Sequence, residues 1–176
     1  TWVDVGSRVT SMAVPLAALR ATMKNPAPNA GPRTNYFEAP TPFRAVRSAA
    51  HWLAAETLWN LHNDRYSEAL ADLEAVAALA NLHREEYSLV SQMTRAGVAK
   101  VGLRLTWEAL QTKRWSGEDL LRLQNCWGGC DFLELAERGM VGERCMGQES
   151  SNLMKQTNPS FADSVYAKQF LDADLL

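Results

Sequence analysis

A chain of 176 residues that is 47% hydrophobic and 22% charged is about one domain long, buries a core of its own, and is not the composition of a disordered segment. Its formal net charge of -2 supplies no basic footprint, which sets nucleic-acid binding aside. Cys126, Cys130 and Cys145 are odd in number, which excludes a disulfide framework.

The chain begins at Thr1 rather than Met and holds no apolar run near the ~18 residues of a membrane span. A removed leader or anchor, or a start inside a longer chain, is the expectation. Val9, Met12, Leu16, Leu19 and Met23 keep helical spacing, and Pro15 suits a first turn, so a helix is expected over 15–24. The prolines and asparagines of 25–42 mark a loop or extended strap. Two regions follow from this: 1–42, a helix plus strap, and 43–176, a helical bundle.

Thr41-Pro42 is a helix start, and the helix over 43–61 presents Val46, Ala50, Leu53 and Thr57 on one face and Trp52 with Trp59 on the next. So wide an apolar arc contacts neighbours on two sides, or one neighbour and a partner protein. Asn63-Asp64 breaks the pattern. A second long helix over 67–83 buries Leu70, Leu73, Ala77 and Ala80, with Glu68, Asp72 and Ala75 opposite. The helix over 87–113 is apolar nearly all round and is expected at the centre, its Gly97 and Gly102 kept for a helix backbone passing close by.

Ser116-Gly117-Glu118-Asp119 opens a further helix, which should stop at Gly128-Gly129. Asp131 with Glu134 resembles a capping box for a helix through 153, and a last helix is expected over 160–171. No period-2 run is long enough for a strand. The fold expected is all-α: a compact antiparallel bundle of about six helices with helix-pair packing like that of tetratricopeptide repeats.

That comparison rests on 65–73, where Tyr66, Ala69 and Leu73 resemble the second half of a tetratricopeptide unit. Leu53, Val76 and Asn81 depart from it, and a solenoid needs at least about three repeats. A broader stretch, 45–147, is similar to a group of uncharacterised helical bacterial proteins. The signals are Leu61-His62, Asp72-Leu73, Leu89-Val90-Ser91-Gln92, Trp115-Ser116, Leu123-Gln124 and Gly142-Glu143-Arg144. Members of that group carry an export signal or membrane anchor, so the resemblance implies a place at or beyond the cytoplasmic membrane and possible association through an anchor. It transfers no functional residue.

No catalytic, cofactor or metal signature stands out. Cys126-Trp127-Gly128-Gly129-Cys130 fits neither a redox, haem nor zinc motif, and leaves a disulfide across the helix break or two ordinary thiols. His83 and Glu86 reverse the di-iron pair of helical bundles, without a second copy. His51 and His62 share a helix face but need a carboxylate from elsewhere to hold a metal, and His62 suits a helix C-terminus. The charges around Glu143 and Arg144 suit a solvated helix face.

The first expectation is therefore a non-catalytic interaction module or accessory subunit. Its protein partner would be anchored on Trp52, Trp59, Trp115 and Trp127, with the strap draped over it. The alternative is a small-ligand carrier or enzyme with an apolar pocket lined by Trp107, Met93 and the glycines of 87–113.

Overall fold

Apolar side chains recur at helical spacing through most of the chain, and the elements that form are all helices. The computed structural model describes residues 1–25, 43–82 and 84–157. Among these lie α1 (Trp2–Ser11), α2 (Ala13–Lys24), α3 (Phe43–His62), α4 (Tyr66–Asn81), α5 (Leu89–Leu110), α6 (Gly117–Trp127) and α7 (Phe132–Thr157), and no strand. The strap at 26–42, the Thr41-Pro42 start, His83 and the expected helix over 160–171 lie outside the described residues.

The hairpin of α3 and α4 is the most extensive helix pair. Asp64 turns the chain at φ 57, a left-handed conformation that Asp tolerates better than most residues, and the Tyr66 hydroxyl donates to Asp64 Oδ1 at 2.7 Å. Leu53, Ala69, Leu70, Leu73 and Val76 are fully enclosed between the helices, each large one contributing about 1.5–3 kcal/mol by burial. Leu16 and Met23 of α2, Val98 and Leu105 of α5, and Leu123 of α6 join the same core. α3 meets α4 and α5 on one side and α1 on another, as its wide apolar arc requires.

Helix ends follow local chemistry at several points. Ser116 and Asp119 form the reciprocal capping box of α6, which stops at Gly128. Asp131 Oδ1 accepts from the amides of Leu133 and Glu134, both at 3.0 Å. Glu134 itself turns to Arg138, so only half of the expected box forms. Residues 2–11 are helical, begun by a Thr1–Asp4 capping box that periodicity around Pro15 did not disclose.

Other ends are closed by side chains from outside the helix concerned. Trp115 Nε1 donates to the Ala109 carbonyl at 2.8 Å, near the end of α5. Arg95, 2% exposed, donates to the Ala80 carbonyl at 2.8 Å, at the end of α4.

Three expectations are corrected. Asp72 and Ala75 are buried, because α2 and α6 pack on the α4 surface expected to face solvent. α5 is not enclosed: it packs on α3, α4 and α7 but leaves Met93, Lys100, Arg104 and Trp107 open along its outer face. Its two inner glycines differ from each other. Gly102 lies under the Trp127 ring, 2.5 Å from where a Cβ would stand, whereas Gly97 has nothing within 4 Å.

Candidate functional site

α1 is drawn onto α3 by two aromatic contacts. The Trp2 indole stacks on the His62 ring with centroids 4.2 Å apart and planes 5° from parallel. One turn on, the Trp59 ring covers Gly6 so closely that a Cβ there would lie 2.6 Å from Trp59 Cη2. Trp2 meets the end of α3 and Gly6 an earlier turn, so the helices run antiparallel.

Further along, α1 and α3 leave a groove of about 380 Å3, within the usual size of ligand pockets. Val5 and Val9 of α1 face Trp52 and Ala55 of α3, and Arg8, Ser48 and His51 complete the lining. Val9 is buried and Trp52 half-buried, while Arg8, Ser48 and His51 are exposed at the rim. The arrangement offers an apolar floor, one hydroxyl, and an arginine and a histidine at the edge. It suits recognition of an apolar group with an anion beside it, and holds no nucleophile paired with a base.

A buried polar cluster holds α2, and with it the α1 wall. Arg20 Nη1 donates to Asp72 Oδ1 at 2.7 Å and also to Glu56 Oε2. Asn60 Nδ2 donates to Asp72 Oδ2 at 2.8 Å. Burial, together with the Glu56 charge, pushes the Asp72 carboxyl up to about 7, against the opposing pull of Arg20 and Asn60. Among the described residues no buried side-chain nitrogen or oxygen is left without a partner.

Beside this cluster is a smaller cleft of about 200 Å3 lined by Arg20, Met23, Lys24, Ala71, Glu74, Ala75 and Cys126. Burial pushes the Cys126 thiol up from its ordinary value, the reverse of what an activated cysteine requires. Cys126, Cys130 and Cys145 are all free thiols, so no disulfide crosses the Gly-Gly break. Among the described residues no three His, Cys, Asp or Glu side chains gather in a way that holds a metal ion.

The four tryptophans expected to anchor a partner divide into two places. Trp52 lines the groove and Trp59 lies under its α1 wall. Trp115 and Trp127 sit with α5 and α6, the first edge-on to Tyr66 at 5.6 Å, the second over Gly102 with Nε1 donating to Thr106 Oγ1 at 3.2 Å. All four are half-buried.

Trp107 and Met93, expected to line a pocket, are 67% and 66% exposed on the outer face of α5. Arg8, Ser48 and Val5 were missed as site residues. For Val5 and Arg8 the signal was present in the Thr1–Asp4 start followed by Val5 and Val9 at helical spacing, but nothing in it placed α1 beside Ser48 of α3.

Comparison of the chain with protein-family models, curated proteins and solved structures finds no match. Among the described residues no helix is long and apolar enough to cross a membrane.

Proposed function

We propose that this chain is a non-catalytic helical interaction module, an accessory subunit or adaptor that docks a segment of a partner protein between α1 and α3. The observation that carries this is the groove itself: an apolar floor containing a half-buried tryptophan, open to solvent and edged by polar side chains. Interfaces concentrate their energy in such places, where an aromatic side chain is already ordered and a partner's apolar group completes its burial. Trp52 is held in place by α3 packing on the core, so little ordering cost remains for binding.

The likeness of 65–73 to a tetratricopeptide half-unit supports the same class of role. The similarity of 45–147 to exported or anchored bacterial proteins extends the proposal to an assembly at the cell envelope.

The test places a photo-crosslinking amino acid at Ser48, and a control at Leu121 on the exposed side of α6, in the full chain exposed to extract of its source cells. Adducts specific to Ser48 and suppressed by Ala55→Gln, which fills the groove without adding charge, are expected. Equal labelling at both positions, or none at Ser48, sinks the proposal. A small molecule retained in native mass spectra and lost in Ala55→Gln would favour the carrier alternative.

A further inference from the structure

Basic side chains edge the groove, and the geometry points to what docks there: an acidic protein segment carrying one large apolar side chain that enters beside Trp52. This rests on the docking role proposed above and names its partner's chemistry. Arg8 and His51 line the groove. Arg44 lies one turn before Ser48 on the same face of α3, and Arg47 one turn before His51 on its flank. All four are exposed.

Among the described residues, none of the three arginines enters an ion pair. Each of these two helices carries a single carboxylate, and that of α1, Asp4, feels the Arg8 charge. Asp4, one turn from Arg8, takes the Thr1 hydroxyl at 2.7 Å, and Glu56 is buried against Arg20.

The first turn of α3 contains no acidic residue and does contain Arg44, although the positive end of a helix dipole favours acids there. α1 and α6 carry acids there, whereas α2 and α5 do not. In a protein of net charge -2, the positive charge is local and aimed. The recess between two helices takes in a side chain, which a flat lipid surface cannot supply, so a protein segment is favoured over an anionic membrane.

The experiment measures fluorescence anisotropy of the full chain with short labelled peptides that share a central Leu and carry Glu, Gln or Lys at their other polar positions. Vesicles of phosphatidylcholine with phosphatidylserine are the comparison. The Glu peptide should bind about tenfold tighter than the Lys peptide at low salt, the summed effect of several exposed charge pairs, and the preference should shrink as salt is raised. Arg44→Glu with Arg47→Glu should abolish the preference, and Ala55→Gln should weaken every peptide.

Equal binding of all three peptides, still sensitive to Ala55→Gln, overturns the charge assignment and leaves the docking role intact. No peptide binding at all overturns both. Vesicle binding without peptide binding, lost in the double charge reversal, overturns the protein partner in favour of a membrane.

Discussion

The Leu89 amide donates to Glu143 Oε1 at 3.0 Å, across 54 residues of sequence. Ser88, at the position where a capping side chain normally serves the helix itself, makes no such bond and instead donates its hydroxyl to the same carboxylate oxygen at 3.3 Å. α5 is thus started by a side chain of α7. The carboxylate meets an otherwise unbonded amide and lies at the positive end of the dipole, so one contact serves both secondary and tertiary structure.

Glu143→Ala should therefore cost about 1–2 kcal/mol of stability, the range of a lost helix cap, read from urea denaturation midpoints. Glu143→Gln keeps an acceptor and loses only the charge, so its cost should be nearer ~0.5 kcal/mol. Hydrogen exchange at the first amides of α5 should accelerate in the Ala variant. Unchanged exchange there would show that the cap is dispensable.

The neighbouring glycine sets a contrast within the same family of substitutions. A Cβ at Gly142 would press on the Tyr87 carbonyl oxygen and lie 2.5 Å from Tyr87 Cβ, and backbone cannot step aside. Gly142→Ala should destabilise by about 1–3 kcal/mol through overpacking. Gly97→Ala meets nothing within 4 Å and should stabilise by about 0.5–1 kcal/mol through helix propensity. Thermal melts of the two variants should move in opposite directions.

How much of this was legible in the sequence follows from how far each feature reaches along the chain. The turn at Asp64, the Ser116–Asp119 box and the stop at Gly128 are decided within a few residues, and the sequence pattern predicts each. The burial of Asp72 is decided by Arg20, 52 residues away, so the apparent outer face of α4 carried no local sign of α2. The groove depends in the same way on α1 settling against α3. Trp59 on Gly6 fixes that approach, and no periodicity within either helix encodes it.

The buried cluster makes stability depend on pH in a direction opposite to the common one. Asp72 titrates at about 7 in the folded protein, well above the ~4 of an unfolded aspartate. Between those values the folded state holds a proton that the unfolded state has released, so this group's contribution declines as pH rises from about 4 to 7 and levels off above. Asp72→Asn keeps the shape and an oxygen for Arg20 but cannot titrate. Denaturation midpoints from pH 4.5 to 8 should show the wild type losing ground to the variant as pH rises; a difference independent of pH would rule the linkage out.

Arg95 offers the sharpest test of how α7 is attached. Its guanidinium is enclosed, donating to the Ala80 carbonyl at 2.8 Å, to Gln92 Oε1 at 2.6 Å and to Asn81 Oδ1 at 3.3 Å, and its carbon lies 5.5 Å from the Phe132 ring centroid. Phe132 is the first residue of α7, so the same side chain closes α4 and seats α7. Arg95→Ala removes three donors and a large packed side chain, and should cost about 3 kcal/mol or more. Arg95→Met restores most of the volume but none of the donors, leaving a deficit of about 1–3 kcal/mol from the orphaned acceptors. If the guanidinium also seats α7, both variants should be cleaved faster by protease around Gly128 and Gly129, whereas Gly97→Ala should not. Cleavage unchanged in Arg95→Met, despite lower stability, would confine Arg95 to closing α4 and leave α7 held by its contacts with α5, Glu143 and Gly142 among them.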